Sequence, residues 1–169
     1  MGCTTYSFSL NLGCFFRYIP AQFPVRFKNG EVSPEEYQCH FRGRLDRTFD
    51  QRELDRNDIW YIDPNGDYLA KSMDDVLLQI KDRGFAWFDR FIRPEEVKRT
   101  LLKDDEQMAE TWGFGRNPSP IRSYMMAYTA MRLGDNSLAD AKLQEAVQSG
   151  CFKSLFVNTK EAKDRFGLL

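Results

Sequence analysis

Between Tyr6 and Tyr18 the apolar side chains Tyr6, Phe8, Leu10, Leu12, Cys14, Phe16 and Tyr18 fall at every second position, with Ser7, Ser9, Asn11 and Gly13 between them. Successive side chains of a strand point to opposite faces, so this spacing predicts a strand with one apolar face. Pro20 and Pro24 break the pattern. Asn29-Gly30 and Ser33-Pro34 mark turns around a short extended piece from Val25 to Phe27, and residues 20–37 are expected to form a loop or irregular edge. Alternation returns from Gln38 to Arg47, with Cys39, Phe41, Gly43 and Leu45 on one face and His40, Arg42, Arg44 and Asp46 on the other. A third strand is expected at Ile59-Trp60-Tyr61-Ile62, a β-branched and aromatic run stopped by Asp63-Pro64-Asn65-Gly66.

The period then becomes helical. Met73, Val76, Leu77, Ile80 and Phe85 recur at spacings of three, four and five, with Ser72 as a cap and Gly84 as a stop or kink. The aromatic run Phe85 to Phe91 reads as a turn or short helix, and Pro94 opens a helix to about Trp112. After Asn117-Pro118-Ser119-Pro120, helices are expected from Ile121 to Leu133, Leu138 to Ser149 and Thr159 to Phe166, with Gly134 and Gly150 as stops and Asn158 as a cap. Strands first and helices after make an α+β fold: a small antiparallel sheet in the N-terminal half, then helices ending in a helical hairpin. The expected division is an α+β domain over residues 1–93 and a helical extension over 94–169, packed on the first part.

Charge changes this picture little. The 169 residues carry 24 Lys and Arg against 25 Asp and Glu. Residues 1–93 hold 13 basic and 14 acidic side chains and residues 94–169 hold 11 of each, so neither half has the basic excess of a phosphate-backbone binder, and nucleic acid is not an expected partner. No apolar run approaches the roughly 20 residues of a membrane span, so no membrane partner is expected either. Cys3, Cys14, Cys39 and Cys151 are widely spaced without a CxxC pair, and no signal peptide precedes them, which points to free thiols in a reducing cytoplasm. Met1-Gly2-Cys3 resembles a lipidation start, but Tyr6 stands where that pattern wants Ser or Thr.

Candidate chemistry is sparse. Cys39-His40 is the one Cys and His adjacency, yet neighbouring strand residues face opposite ways and a single histidine builds neither a dyad partner set nor a zinc site. His40, Arg42 and Arg44 stand at i, i+2 and i+4 on one strand face, roughly 7 Å from step to step, so three donors could line an anion-facing stripe with Trp60 or Tyr61 from a neighbouring strand. Its plainer reading is a solvated face, because Asp46, Asp50, Glu53, Asp55 and Asp58 balance Arg42, Arg44, Arg47, Arg52 and Arg56. Asp63, Asn65, Asp67 and Asp74 fall at calcium-loop spacing, but Tyr68 occupies the position of the turn glycine, and a Pro-Asn-Gly turn is preferred. No catalytic residue, cofactor or metal is expected.

Phe8-Ser-Leu-Asn-Leu-Gly13, Gln38-Cys39-His40-Phe41-Arg42-Gly43-Arg44-Leu45 and Ile59-Trp60-Tyr61-Ile62 together resemble the bacterial family of the domain of unknown function numbered 4304, over residues 6–91. The resemblance is to the latter two thirds of that domain, which implies either a start upstream of Met1 or a reduced sheet. It implies an α+β cytoplasmic bacterial protein with no assigned activity. The stretch from Tyr128 to Val147, with Ala130, Leu133-Gly134-Asp135, Ala139, Leu143 and Ala146, is similar to a single tetratricopeptide helix pair; no second copy follows at that repeat's period, so a lone hairpin is preferred. The function expected first is a protein-binding or interaction module without catalysis. Behind it stand an enzyme or small-anion binder using the His40, Arg42 and Arg44 face, and a purely oligomeric structural role.

Overall fold

The computed structural model describes residues 6–51, 56–103 and 110–167. Cys3 and the lipidation pattern, Arg52, Glu53 and Asp55 of the charge balance, and residues 104–109 of the helix expected after Pro94 lie outside them. Small antiparallel sheets occupy the N-terminal half and helices follow, so the chain is an α+β protein. It divides into two units. The first comprises Met1–Leu12 and Gly43–Arg90, the second Gly13–Arg42 and Phe91–Leu169.

The opening alternation forms β1 (Tyr6–Phe8) and β2 (Leu10–Cys14), separated at Ser9. β1 pairs antiparallel with Trp60–Ile62, placing Phe8 opposite Trp60, and β2 pairs with Phe41–Leu45. The chain passes between units inside β2 and inside the 41–45 strand. The first strand stops at Cys14, so Phe16 and Tyr18 lie beyond it in a turn closed by Ile19 N–H donating to Phe16 O at 3.0 Å. Where a loop or irregular edge around an extended piece at Val25 to Phe27 was expected, Arg26–Lys28 (β3) and Glu31–Ser33 (β4) form a two-stranded hairpin. Asn29 and Gly30, at φ 54° and 79°, supply the two left-handed residues that a tight hairpin turn of this twist requires. Phe41–Leu45 is therefore β5 and Trp60–Ile62 is β6.

In the first unit, α1 (Leu69–Gln79) runs into a five-residue π turn, Ile80–Gly84, and then α2 (Phe85–Asp89). The helix starts three residues before Ser72, which is buried inside it and does not cap it. Ser72, Asp75, Val76 and Gln79 form the buried stripe of α1, and the wider π turn shifts the phase so that Gly84 and Trp87 continue it. Trp87 lies against β5, where a Cβ built on Gly43 would stand 2.9 Å from its Cε2 and Nε1. Gly43→Ala is expected to lose about 1–3 kcal/mol in urea unfolding, because the indole cannot yield without moving α2. Gly84→Ala, whose Cβ would meet Leu45 Cδ1 at an ordinary 3.6 Å, is the control and should lose nothing.

In the second unit, α3 (Pro94–Leu101) has proline at its start, as expected, but ends well before Trp112, which is engaged as an extended residue. α4 (Pro120–Arg132) and α5 (Asn136–Ser149) make the helical hairpin, with Ser119 and Asp135 accepting at their N-termini, and α6 (Thr159–Asp164) is capped by Asn158. α4 is buried from Tyr124 to Ala130: Tyr124 stacks on Phe152 and Phe156, and Tyr128 meets Tyr124 edge-on. The Tyr124 hydroxyl donates to Pro20 O at 2.6 Å and that of Tyr128 to Ala162 O at 2.8 Å. Burial raises both phenols far above their ordinary range. Buried Arg122 lies over Phe114 and donates to Lys103 O at 2.7 Å and Gly115 O at 3.0 Å, satisfying carbonyls beyond the end of α3.

Candidate functional site

β5 keeps the alternation expected of it: Phe41, Gly43 and Leu45 are buried, Arg42 and Arg44 half-buried. The strand begins at Phe41, however, so His40 is not part of its polar face. His40 is 4% exposed, with its ring against Phe15 and Phe16 and its Nδ1 accepting from Phe16 N–H at 3.0 Å. Burial pushes its pKa down to about 3. The ring is neutral near pH 7 and, with Nδ1 accepting, carries its proton on Nε2. Cys39 keeps its thiol proton, since burial and then the Glu36 carboxylate push its pKa up.

The five residues singled out from the sequence fall into separate units. Arg44, Trp60 and Tyr61 belong to the first. Arg44 donates to Asp58 at 2.5 Å and to Asn11 Oδ1 at 2.8 Å. The fork from Arg56, reinforced by Arg44, holds the Asp58 carboxyl below the usual carboxylate range. Trp60 is fully buried in β6, stacked on Phe8, and its indole N–H donates to Asp75 Oδ2 at 2.9 Å. β6 pairs with β1, so Trp60 and Tyr61 do not come from a strand beside β5. Tyr61 is held by its backbone: its N–H donates to Gln51 Oε1 at 2.8 Å and its carbonyl accepts from Gln51 Nε2 at 3.0 Å. The Asp63 turn closes on itself, with Asp67 N–H donating to Asp63 Oδ1 at 2.8 Å.

His40 and Arg42 belong to the second unit, where both line a cavity of about 270 Å³. Gln22, Tyr37 and Gln38 complete its polar lining, and Phe23, Ile121 and Met125 form most of the apolar part. The backbone of Arg42 is fixed by a bridge to Trp112, N–H to O at 2.7 Å one way and 2.8 Å the other. Gly113 follows at φ 111°, and a Cβ there would lie 2.7 Å from His40 O, so glycine alone lets this wall close on the strand. Arg42 Nη1 stands 3.9 Å from Glu36 Oε1, and its buried Nε has no hydrogen-bond partner among the described residues.

Sequence reasoning missed the outward face of α1 and α2. Leu69, Met73, Leu77 and Leu78 of α1 and Phe85 of α2 are exposed, Leu77 at 62% and Phe85 at 59%. The residues read as a core stripe thus divide: Val76 is buried and Ile80 half-buried, while Met73, Leu77 and Phe85 face out. Buried beneath them are polar groups. The Asp75 carboxylate accepts from Trp60 and from both the N–H and the hydroxyl of Thr48, and Ser72 accepts from Gln51. This helix is amphipathic the wrong way round for a core element.

The family model described as Domain of unknown function (DUF4304) matches residues 2–90. The chain belongs to this family. The DUF4304 segment holds the whole of α1 and α2, and it supplies Phe23, Tyr37, His40 and Arg42 to the cavity, whereas Gly113, Ile121 and Met125 come from beyond it. No curated protein and no solved structure matches the chain. Among the described residues no helix is long and apolar enough to cross a membrane.

Proposed function

We propose that this DUF4304 protein is a protein-binding module of the bacterial cytoplasm whose contact surface is the outward face of α1 and α2. The observation that carries the reading is the inverted helix: Leu69, Met73, Leu77, Leu78 and Phe85 lie in water while Ser72, Asp75 and Gln79 are buried. Full burial of one such aliphatic side chain contributes roughly 1.5–3 kcal/mol, so covering the stripe supplies a driving force that the isolated chain leaves unused. Its rim mixes signs, with Lys71, Asp74, Lys81, Asp82 and Arg83 all exposed, as suits the polar edge around an apolar interface core. The partner is expected to lay an apolar surface, such as one face of an amphipathic helix, along the run. Free thiols at Cys39 and Cys151 support the reducing compartment.

Capture from native lysate by the intact chain, beside a Met73→Lys, Leu77→Lys variant, tests this. Both positions are exposed and lysine forms helix well, so the variant is expected to keep its urea midpoint within about 0.5 kcal/mol. A protein held in stoichiometric amount by the wild-type chain and lost by the variant supports the reading. Retention by both, or by neither, overturns it, and light scattering of the pure chain separates a second copy from another protein as the occupant.

A further inference from the structure

The second unit carries its own observation, independent of the helix face. Its cavity has one arginine, no other cation among the described lining residues, and a neutral imidazole. We propose that this cavity binds a small monocarboxylate with an apolar body, the carboxylate on the Arg42 guanidinium and the body against Phe23, Ile121 and Met125. A single guanidinium matches a single negative charge, and its planar fork matches the two oxygens of a carboxylate. The remaining polar side chains of the described lining, Gln22, Tyr37, Gln38 and His40, are neutral donors and acceptors, so no second cation balances the second charge of a phosphate dianion. The Glu36 carboxylate, 3.9 Å away and 45% exposed, is too distant for a hydrogen bond and leaves the guanidinium incompletely engaged. Tyr37 and Phe23, 63% and 59% exposed, stand at the lining with apolar area for a ligand to cover, while Met125 is buried. Gln38 is already committed, its amide donating to Pro24 O at 2.7 Å and accepting from Glu35 N–H at 2.8 Å, so it shapes the cavity and does not recognise the ligand. The volume fits a ligand smaller than a drug-sized molecule.

The probe is benzoate, with benzamide as its neutral isostere and inorganic phosphate as the anion without a body, titrated into the full-length chain and followed by the amide resonance of Gly113 and the methyls of Ile121 and Met125. Benzoate is expected to give saturable shifts at these three residues, with benzamide and phosphate each weaker by about tenfold or more. Arg42→Gln should weaken benzoate by a similar factor. Glu36→Gln removes the competing carboxylate from an exposed position and should tighten benzoate by about two- to fivefold, which keeps the test intact should the Arg42 variant fail to fold. Equal binding of benzoate and benzamide, phosphate binding at least as tightly as benzoate, unchanged affinity in a folded Arg42→Gln chain, an unchanged or weakened affinity in Glu36→Gln, or no saturable shift in the wild type would each overturn the proposal.

Discussion

Lowering the pH from 7 to 5 is expected to remove about 2 kcal/mol of stability through His40 alone. Its folded pKa is depressed from 6.5 to about 3 by burial, so between those values the unfolded chain takes up a proton that the folded chain refuses. The stabilisation is therefore complete above the unfolded pKa and is lost progressively as pH falls toward the folded one. The window from 7 to 5 lies above the ordinary carboxylate range, which keeps Asp58, Asp135 and Glu145, all shifted downward by hydrogen bonds from cationic side chains, out of the measurement. His40→Asn retains an acceptor near the Phe16 amide but has nothing to protonate. Urea unfolding of both chains at the two pH values should show the 2 kcal/mol loss in the wild type and a nearly flat response in the variant. Equal slopes would mean that the imidazole is hydrated in the folded state.

Asp75→Ala should be among the most damaging single changes in the first unit, costing about 3 kcal/mol or more. The carboxylate is 6% exposed and accepts from three donors: the Trp60 indole N–H at 2.9 Å, the Thr48 N–H at 3.1 Å and the Thr48 hydroxyl. Alanine strands all three, and each buried donor without a partner costs about 1–3 kcal/mol. Asp75→Asn keeps one acceptor oxygen but turns an NH2 toward groups that are themselves donors, so an intermediate loss of about 1–2 kcal/mol is expected. Urea titration gives the magnitudes, and the indole N–H resonance of Trp60 reports directly on the bond. A loss below about 1 kcal/mol in the alanine variant would show that water reaches these donors.

Elements whose cause is local were readable from the chain. Period two placed β1, β2 and β5, proline placed the start of α3, and Asn158 placed that of α6, because each signal acts within four residues of its effect. At Asn29-Gly30 the turn and the extended piece before it are equally legible, but the pairing with β4 is not, since β3 and β4 show little apolar alternation and are mostly exposed. What period alone does not reveal is which way a stripe faces. Met73, Leu77 and Phe85 have core-like spacing, but Trp60, Thr48 and Gln51 offer polar partners to Asp75 and Ser72, and those bonds turn the opposite side inward. Alternation carried one residue too far puts His40 on the strand face, whereas its ring accepts from the Phe16 N–H instead. The cavity was out of reach of sequence reasoning because Gly113, Ile121 and Met125 each lie more than 70 residues beyond Arg42 along the chain, and no pattern links them.

The hydrogen bond from Tyr124 to Pro20 spans 104 residues, and both ends lie in the second unit. At about 5–20 residues per second of synthesis, Pro20 leaves the ribosome roughly 5–20 s before its partner. Residues 13–42, with Phe15, Phe16 and Phe41 among them, are thus made early and stay uncovered until the helices that bury them have been translated, so the nascent chain passes through a long interval in which shielding by a chaperone would matter most.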